Sequence, residues 1–299
     1  MAEFNMQNYL KFWGSKVEEF FKTYMSCDDD HVKGLVDSMR YSLFAGGKRL
    51  RPALVYSSYG IFEGYFDKVT PFAGAVEMLH TYSLIHDDLP AMDDDDMRRG
   101  KPTNHKMYGE ATAILAGDGL LTKAFEVMTN TEINPDVECS QMLEASYKLA
   151  AATGDRGMVG GQFADMEAED GVFNASTVDF IHANKTSRLI SYCCELGAIL
   201  GFGSDEDKKR MREYGMRIGL AFQVVDDILD ITSTTEELGK DVGSDQERGK
   251  ATYPAVYGIE ESHKKAELLT EEAMEIISPY GKTAEPCREI AKFIIERKN

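Results

Sequence analysis

In Gln223-Val224-Val225-Asp226-Asp227-Ile228-Leu229-Asp230 the polar residues are spaced by three or four. Gln223, Asp226, Asp227 and Asp230 fall at i, i+3, i+4 and i+7, so an α-helix gathers all four on one face. Val224, Val225, Ile228 and Leu229 make the rest of that helix apolar. Towards the amino end, Asp205, Glu206 and Asp207 suit the positive end of a helix, and Ser204 is a good N-cap. Together these features predict a helix over 205–232.

The same spacing dominates the remainder of the chain. No proline occurs between Asp136 and Tyr253, which favours long helices. Further helices are expected over about 30–44 (stopped by Gly46-Gly47), 71–88 (with Pro71 in its first turn), 110–130, 137–168 and 176–201. One or two more are expected over 263–298, broken near Pro279–Gly281. Strand-like alternation with hairpin turns is nearly absent, as is a glycine-rich phosphate loop or a fixed-period repeat. The expectation is one all-α domain spanning residues 1–299.

Of 299 residues, 43% are hydrophobic, enough for a substantial core. The net charge of −18 argues against nucleic-acid binding, which needs basic surface, and against docking on anionic membranes. The five cysteines are odd in number and irregular in spacing, and Cys193-Cys194 read as buried thiols in an apolar helix. The first twenty residues lack the basic-then-apolar order of a secretory signal, and no apolar run approaches the ~18 residues of a membrane span. A cytoplasmic protein without stable membrane insertion is expected.

A second acidic cluster, Asp87-Asp88-Leu89-Pro90-Ala91-Met92-Asp93, closes the 71–88 helix. Pro90 cannot continue an undisturbed helix, so a bulge there is expected to return Asp93 towards Asp87. The following Asp94-Asp95-Asp96 run reads as solvated or structural. Carboxylates beside so many apolar residues call for a bound cation, and an all-oxygen donor set suits Mg²⁺ bridging to phosphates. Two basic segments supply anion-binding groups: Gly46-Gly47-Lys48-Arg49-Leu50-Arg51-Pro52 and Arg98-Arg99-Gly100-Lys101-Pro102. His80 lies two turns from Asp87 on the same face, roughly 10 Å along the axis, where a hydrogen bond to substrate is expected. Lys185-Thr186 lie within another apolar helix, and a buried lysine there needs an anionic partner.

These motifs, with Gly160-Gly161-Gln162, Gly239-Lys240-Asp241 and Lys250-Ala251-Thr252-Tyr253-Pro254, follow one another in a set order over about two hundred residues. The chain resembles the trans-isoprenyl diphosphate synthases of the bacterial farnesyl/geranylgeranyl type. The resemblance implies an all-helical fold around a central cavity with the two aspartate motifs facing each other across its mouth, usually as a homodimer. It implies three Mg²⁺ ions held by Asp87, Asp88 and Asp93 and by Asp226, with Asp227 and Asp230 assisting. It implies that Lys48, Arg51, His80 and Arg99 bind isopentenyl diphosphate. Arg98, Lys185, Lys240 and Lys250 would hold the allylic diphosphate, with Thr186 and Gln223 near the developing cation.

The chemistry implied is ionisation of the allylic diphosphate, attack by the isopentenyl double bond and loss of a proton. Tyr82 and Ser83, just before the first aspartates, are implied to limit product length. By helix geometry Ser83 lies about 40° from Asp87 around the axis and Tyr82 about 140°. Tyr82 resembles the bulky floor of C15 synthases, which favours farnesyl diphosphate over the C20 product. A class I terpene cyclase is the alternative from another class, although Gly46–Pro52 and the second Asp-Asp-x-x-Asp argue against it. A non-catalytic subunit is disfavoured because both aspartate motifs are intact.

Overall fold

In the computed structural model, residues 4–169, 174–232 and 250–297 are described. Apart from two short paired strands, the regular elements among them are helical. The chain divides into two compact units, one of Gln7–Ala53 and Tyr65–Leu143, the other of Met1–Met6, Leu54–Gly64 and Glu144–Asn299.

The first unit contains α1 (Met6–Tyr24) and α2 (Lys33–Leu43), while α3 (Leu50–Tyr59) divides its residues between the two units. After a 3-10 turn, α4 (Thr70–Asp87) begins with Pro71 in its first turn, as expected. Then follow α5 (Asn104–Tyr108) and α6 (Glu110–Thr129). The sequence reading did not place α1, whose Leu10, Trp13, Gly14, Val17 and Phe21 form its buried face at helical spacing. Helix α4 is buried almost all round from Pro71 to Leu79, so it lacks the one-sided pattern of a surface helix. Gly74 lets α1 approach it closely, since a Cβ there would lie 2.8 Å from the Phe20 ring.

The second unit holds α8 (Met158–Glu169), α9 (Ala175–Ile181), α10 (Arg188–Leu200) and α11 (Asp205–Thr232), followed by Tyr253–Tyr257, Ile259–Ile276 and Glu285–Glu296. Helix α11 has the predicted bounds, and its cap is the predicted one. Asp207 N–H donates to Ser204 Oγ at 3.2 Å, while Ser204 N–H donates to Asp207 Oδ2 at 3.0 Å. The break in the tail is also where expected, at the 3-10 segment Ser278–Ala284.

Two helix expectations are corrected. The 137–168 segment is two helices, α7 (Cys139–Thr153) and α8, because Gly154–Gly157 makes a tight turn closed by Gly157 N–H to Gly154 O at 3.0 Å. A Cβ on Gly157 would lie 2.1 Å from Ala152 O, so only glycine fits this turn. The 176–201 segment contains a π-helical turn, His182–Ser187, between α9 and α10. Two other helices press on this turn: a Cβ on Gly161 would lie 2.1 Å from Lys185 N, and one on Gly219 would lie 2.7 Å from Ser187 Cα. Cys193, Cys194 and Cys287 are buried thiols outside any disulfide, and burial pushes Cys287 up to about 12.

Candidate active site

The first unit carries the leading aspartate motif. Helix α4 ends at Asp87, and the chain then turns back on itself. Leu89 N–H donates to His86 O, Met92 N–H to Leu89 O, and Asp93 N–H to Asp87 O at 2.8 Å. This six-residue closure holds Asp93 against Asp87 through the main chain, with Pro90 at the exposed tip. Asp88 is differently placed. It is 3% exposed and accepts from Nε of Arg98 at 2.6 Å, with Nη2 of the same guanidinium also 2.6 Å away. Burial pushes its carboxyl up to about 7, against the opposing pull of Arg98.

Arg98 and Arg99 lie on a two-residue hairpin in which Met97–Arg98 pairs with Lys101–Pro102. The turn residues Arg99 and Gly100 both have positive φ, at 52° and 73°. That conformation suits Gly100, but it holds Arg99 in a sparsely populated region at a cost of ~1 kcal/mol or more. The Arg99 guanidinium donates to Gly46 O and lies over Gly47, where a Cβ would stand 2.6 Å from its Cζ. Gly47 itself has φ of 119°. Glycine is therefore required there for two independent reasons.

The Lys48–Arg51 segment sorts its cations by burial. Arg49 is 5% exposed and points inward, where Nη1 donates to Glu77 Oε1 at 2.6 Å and Nη2 to Leu43 O at 2.5 Å. Lys48 is exposed and Arg51 half-buried. Arg51 Nη1 donates to His80 Nε2 at 3.1 Å. A guanidinium can only donate, so His80 accepts here as a neutral ring. Burial, reinforced by Arg51, Arg99, Arg98 and Arg49, holds its imidazole well below 6.5.

A direct check follows from this arrangement. The His80 ring resonances should show no protonation step as the pH is lowered through 6.5. Folding depresses this group's proton affinity, so its contribution to stability is present above 6.5 and is lost as the pH falls. Replacing His80 with Gln removes that component from the pH–stability curve.

The second unit carries the α11 motif. Asp227 is 4% exposed and already has several donors: Tyr253 N–H at 2.7 Å and His182 Nε2 at 3.1 Å on Oδ2, and Gln223 Nε2 at 3.1 Å on Oδ1. Asp230 is 2% exposed, whereas the Asp226 side chain is 41% exposed. Asp226 Oδ1 lies 2.7 Å from Nη2 of Arg297, whose guanidinium stacks 3.8 Å from the Phe222 ring centroid. On the π turn, Lys185 Nζ donates to Asp165 Oδ2 at 2.5 Å, and Thr186 Oγ1 donates to Gln223 Oε1 at 2.7 Å. Gln162 is notable among the described residues because both polar atoms of its side-chain amide are buried without a hydrogen-bond partner. Lys250 Nζ lies 3.9 Å from Glu169 Oε1, and Lys240 lies outside the described residues.

Within the first unit the structure brings together Arg51 and His80, Asp88 and Arg98, and Asp87 and Asp93. Within the second it joins Thr186, Gln223 and Asp227. Tyr82 is 7% exposed, with its ring edge-on to His86 at 5.6 Å between centroids, and burial raises its hydroxyl to about 12. Ser83 is half-buried and donates to His80 O at 2.9 Å. Sequence reasoning missed Arg297, His182 and Asp165. Lys185, which the structure leaves half-buried, did call for an anion, and Asp165 is that anion. Nothing local marks Arg297 or His182, whose aspartate partners are far away in the sequence.

The comparisons with known proteins agree with this chemistry. The sequence model of the polyprenyl synthetase family matches residues 32–288. A geranylgeranyl diphosphate synthase of Cyanophora paradoxa is 47% identical over 266 residues, which are 89% of this chain and 88% of that protein. A farnesyl diphosphate synthase of Bacillus subtilis is 44% identical over 268 residues, 90% of each. A geranyltransferase structure from Helicobacter pylori, complexed with magnesium and isoprenyl diphosphate, superposes with a TM-score of 0.84. It is 30% identical and covers 99% of this chain and 98% of its own.

The fold is therefore the all-α isoprenoid synthase fold, and the activity is that of a trans-prenyltransferase. The chain belongs to the polyprenyl synthetase family. No helix among the described residues is long and apolar enough to cross a membrane.

Proposed function

We propose that this prenyltransferase adds isopentenyl diphosphate to dimethylallyl and geranyl diphosphates and stops at the C15 product, farnesyl diphosphate. The observation that carries the C15 assignment is the buried Tyr82 ring on α4, five residues before Asp87. A bulky, immobilised side chain at that level leaves less room for a growing chain than a small one. The C20 product is the second reading, favoured by the similarity to the Cyanophora geranylgeranyl synthase. Purified protein given geranyl and isopentenyl diphosphates with Mg²⁺ should yield C15 by mass spectrometry; a predominantly C20 product would replace the first reading by the second. Tyr82→Ala should shift the distribution to longer chains, and an unchanged distribution removes Tyr82 from that role.

The residues present fit a hard divalent cation. Asp87 and Asp93 are held together by the main-chain closure, and Asp226 presents a partly exposed carboxylate on α11, so the donors are all oxygen. We assign Mg²⁺ to these three residues, with three ions per active site as the resemblance implies. When bound, Mg²⁺ neutralises charge building on the departing diphosphate. Asp88 and Asp227 are positioning groups in this reading: Asp88 fixes Arg98, and Asp227 ties α11 to His182 and Tyr253. Asp230, a turn beyond Asp226, assists from its buried position.

Lys48, Arg51 and Arg99 bind the isopentenyl diphosphate, and neutral His80 both orients Arg51 and offers its Nδ1–H. Arg98, Lys185, Lys240 and Lys250 hold the allylic diphosphate while its C–O bond breaks. The Thr186 hydroxyl points its proton at Gln223, which leaves oxygen lone pairs for the nascent allylic cation. The isopentenyl double bond then forms the new C–C bond, and the lost proton goes to the released diphosphate.

Gly47→Ala tests the isopentenyl side. The added methyl displaces the Arg99 guanidinium, so the KM for isopentenyl diphosphate should rise about tenfold with kcat largely retained. Unchanged steady-state constants would remove Arg99 from the site.

Adjacent apolar side chains on α6, Ile114 at 44% and Leu115 at 57% exposure, support a homodimer that covers them. Five cysteines held as thiols, none in a disulfide, support a reducing, cytoplasmic setting.

A further inference from the structure

Just beyond the first aspartate motif, a different donor set converges. One carboxylate oxygen each from Asp94 and Asp96 and a ring nitrogen of His105 lie within 4.8 Å of one another. The two aspartates are exposed and would mean little alone. His105 is the informative member. It is 6% exposed, and its Nε2 is buried without a hydrogen-bond partner.

The tautomer follows from its neighbour. Thr103 Oγ1 lies 3.2 Å from His105 Nδ1 and donates its one hydroxyl proton to Asp95 O at 2.8 Å. Towards the ring, Thr103 can therefore only accept, so Nδ1 carries the hydrogen and Nε2 keeps a lone pair. A second hydrogen bond that fixes the ring and leaves the other nitrogen basic is how metal-binding histidines are prepared.

We propose that Asp94, Asp96 and His105 form a Zn²⁺-class site separate from the Mg²⁺ carboxylates. An imidazole nitrogen with two carboxylates suits a borderline first-row cation better than Mg²⁺. Around a four-coordinate Zn²⁺ with bonds near 2.1 Å, ligand atoms stand roughly 3.4 Å apart, so the exposed carboxylates need to swing in by about 1 Å. The competing cation is Lys106, whose Nζ lies 2.7 Å from Asp96 Oδ1 in an exposed pair that rearranges at little cost.

The ion would close the base of the hairpin that carries Arg98 and Arg99. Asp94 and Asp96 precede Met97–Arg98, and His105 follows Lys101–Pro102. Thr103 N–H already donates to Asp96 O at 3.0 Å across that base. The site thus serves to hold the hairpin, and binding needs no substrate.

The test is Zn²⁺ calorimetry on the full chain without diphosphate, with Co²⁺ visible absorption as a second probe. One ion per chain is expected, retained in the Asp87→Asn/Asp226→Asn variant. Binding should weaken at least about 100-fold in His105→Gln and in the surface variant Asp96→Asn, which guards against misfolding of the first. Lys106→Ala should tighten it. The proposal is overturned if no ion binds, if both ligand variants bind as the parent does, or if the ion is lost from the Asp87→Asn/Asp226→Asn protein.

Discussion

Asp87→Ala should lower turnover by ~10³-fold or more while leaving the protein folded. The backbone carbonyl of Asp87, not its side chain, closes the loop to Asp93 N–H, so alanine preserves the local geometry. What is lost is an oxygen ligand at the point where diphosphate charge develops. Such stabilisation is worth several kcal/mol, and each 1.36 kcal/mol is a factor of ten in rate. Steady-state assays at saturating substrates and raised Mg²⁺ would show whether the loss lies in kcat, and circular dichroism would confirm the fold. Activity within tenfold of the parent would contradict the ligand role. Asp88→Asn is the informative partner variant: it loosens Arg98, so it should act mainly on the KM of the allylic substrate.

Arg49→Ala should destabilise the first unit by about 3–5 kcal/mol, the cost of leaving a buried charge without its partner. Arg49 and Glu77 have side chains only 3% exposed each and meet at 2.6 Å. The same guanidinium satisfies Leu43 O, so alanine orphans a carboxylate and a carbonyl together. Glu18, at 3.3 Å and with a side chain 38% exposed, adds little because solvent screens it. Urea unfolding would show the shift as a lower midpoint. An Arg49→Met/Glu77→Leu double variant should recover much of the loss, since replacing both members of a buried pair avoids the orphaned charge. A double variant as unstable as Arg49→Ala would show that the hydrogen bond to Leu43 O, not the ion pair, dominates.

This pair also marks the limit of what a linear motif reveals. In the sequence, Lys48, Arg49 and Arg51 are three equivalent cations on one segment. Folding sends Arg49 inward to Glu77 and Arg51 to His80, while Lys48 is left exposed. No local pattern separates them, because their partners sit 28 and 29 residues away on α4. The acidic clusters divide in the same manner: Asp88 meets Arg98, Asp226 meets Arg297, and Asp227 meets His182 and the Tyr253 N–H, partners that the aspartate motifs themselves do not announce.

The helical class, the bounds and cap of α11, the common face of Gln223, Asp226, Asp227 and Asp230, and the Pro90 fold-back were legible from the sequence. They depend on periodicity, capping and proline chemistry within a few residues. The break at Gly154–Gly157 and the π turn under Lys185 were decided by tertiary structure. So were the burial of Arg49 and the pairing of Asp226 with Arg297. These arise where elements close in space but distant in the chain press together, and a residue's own neighbours carry no record of what packing will place against it.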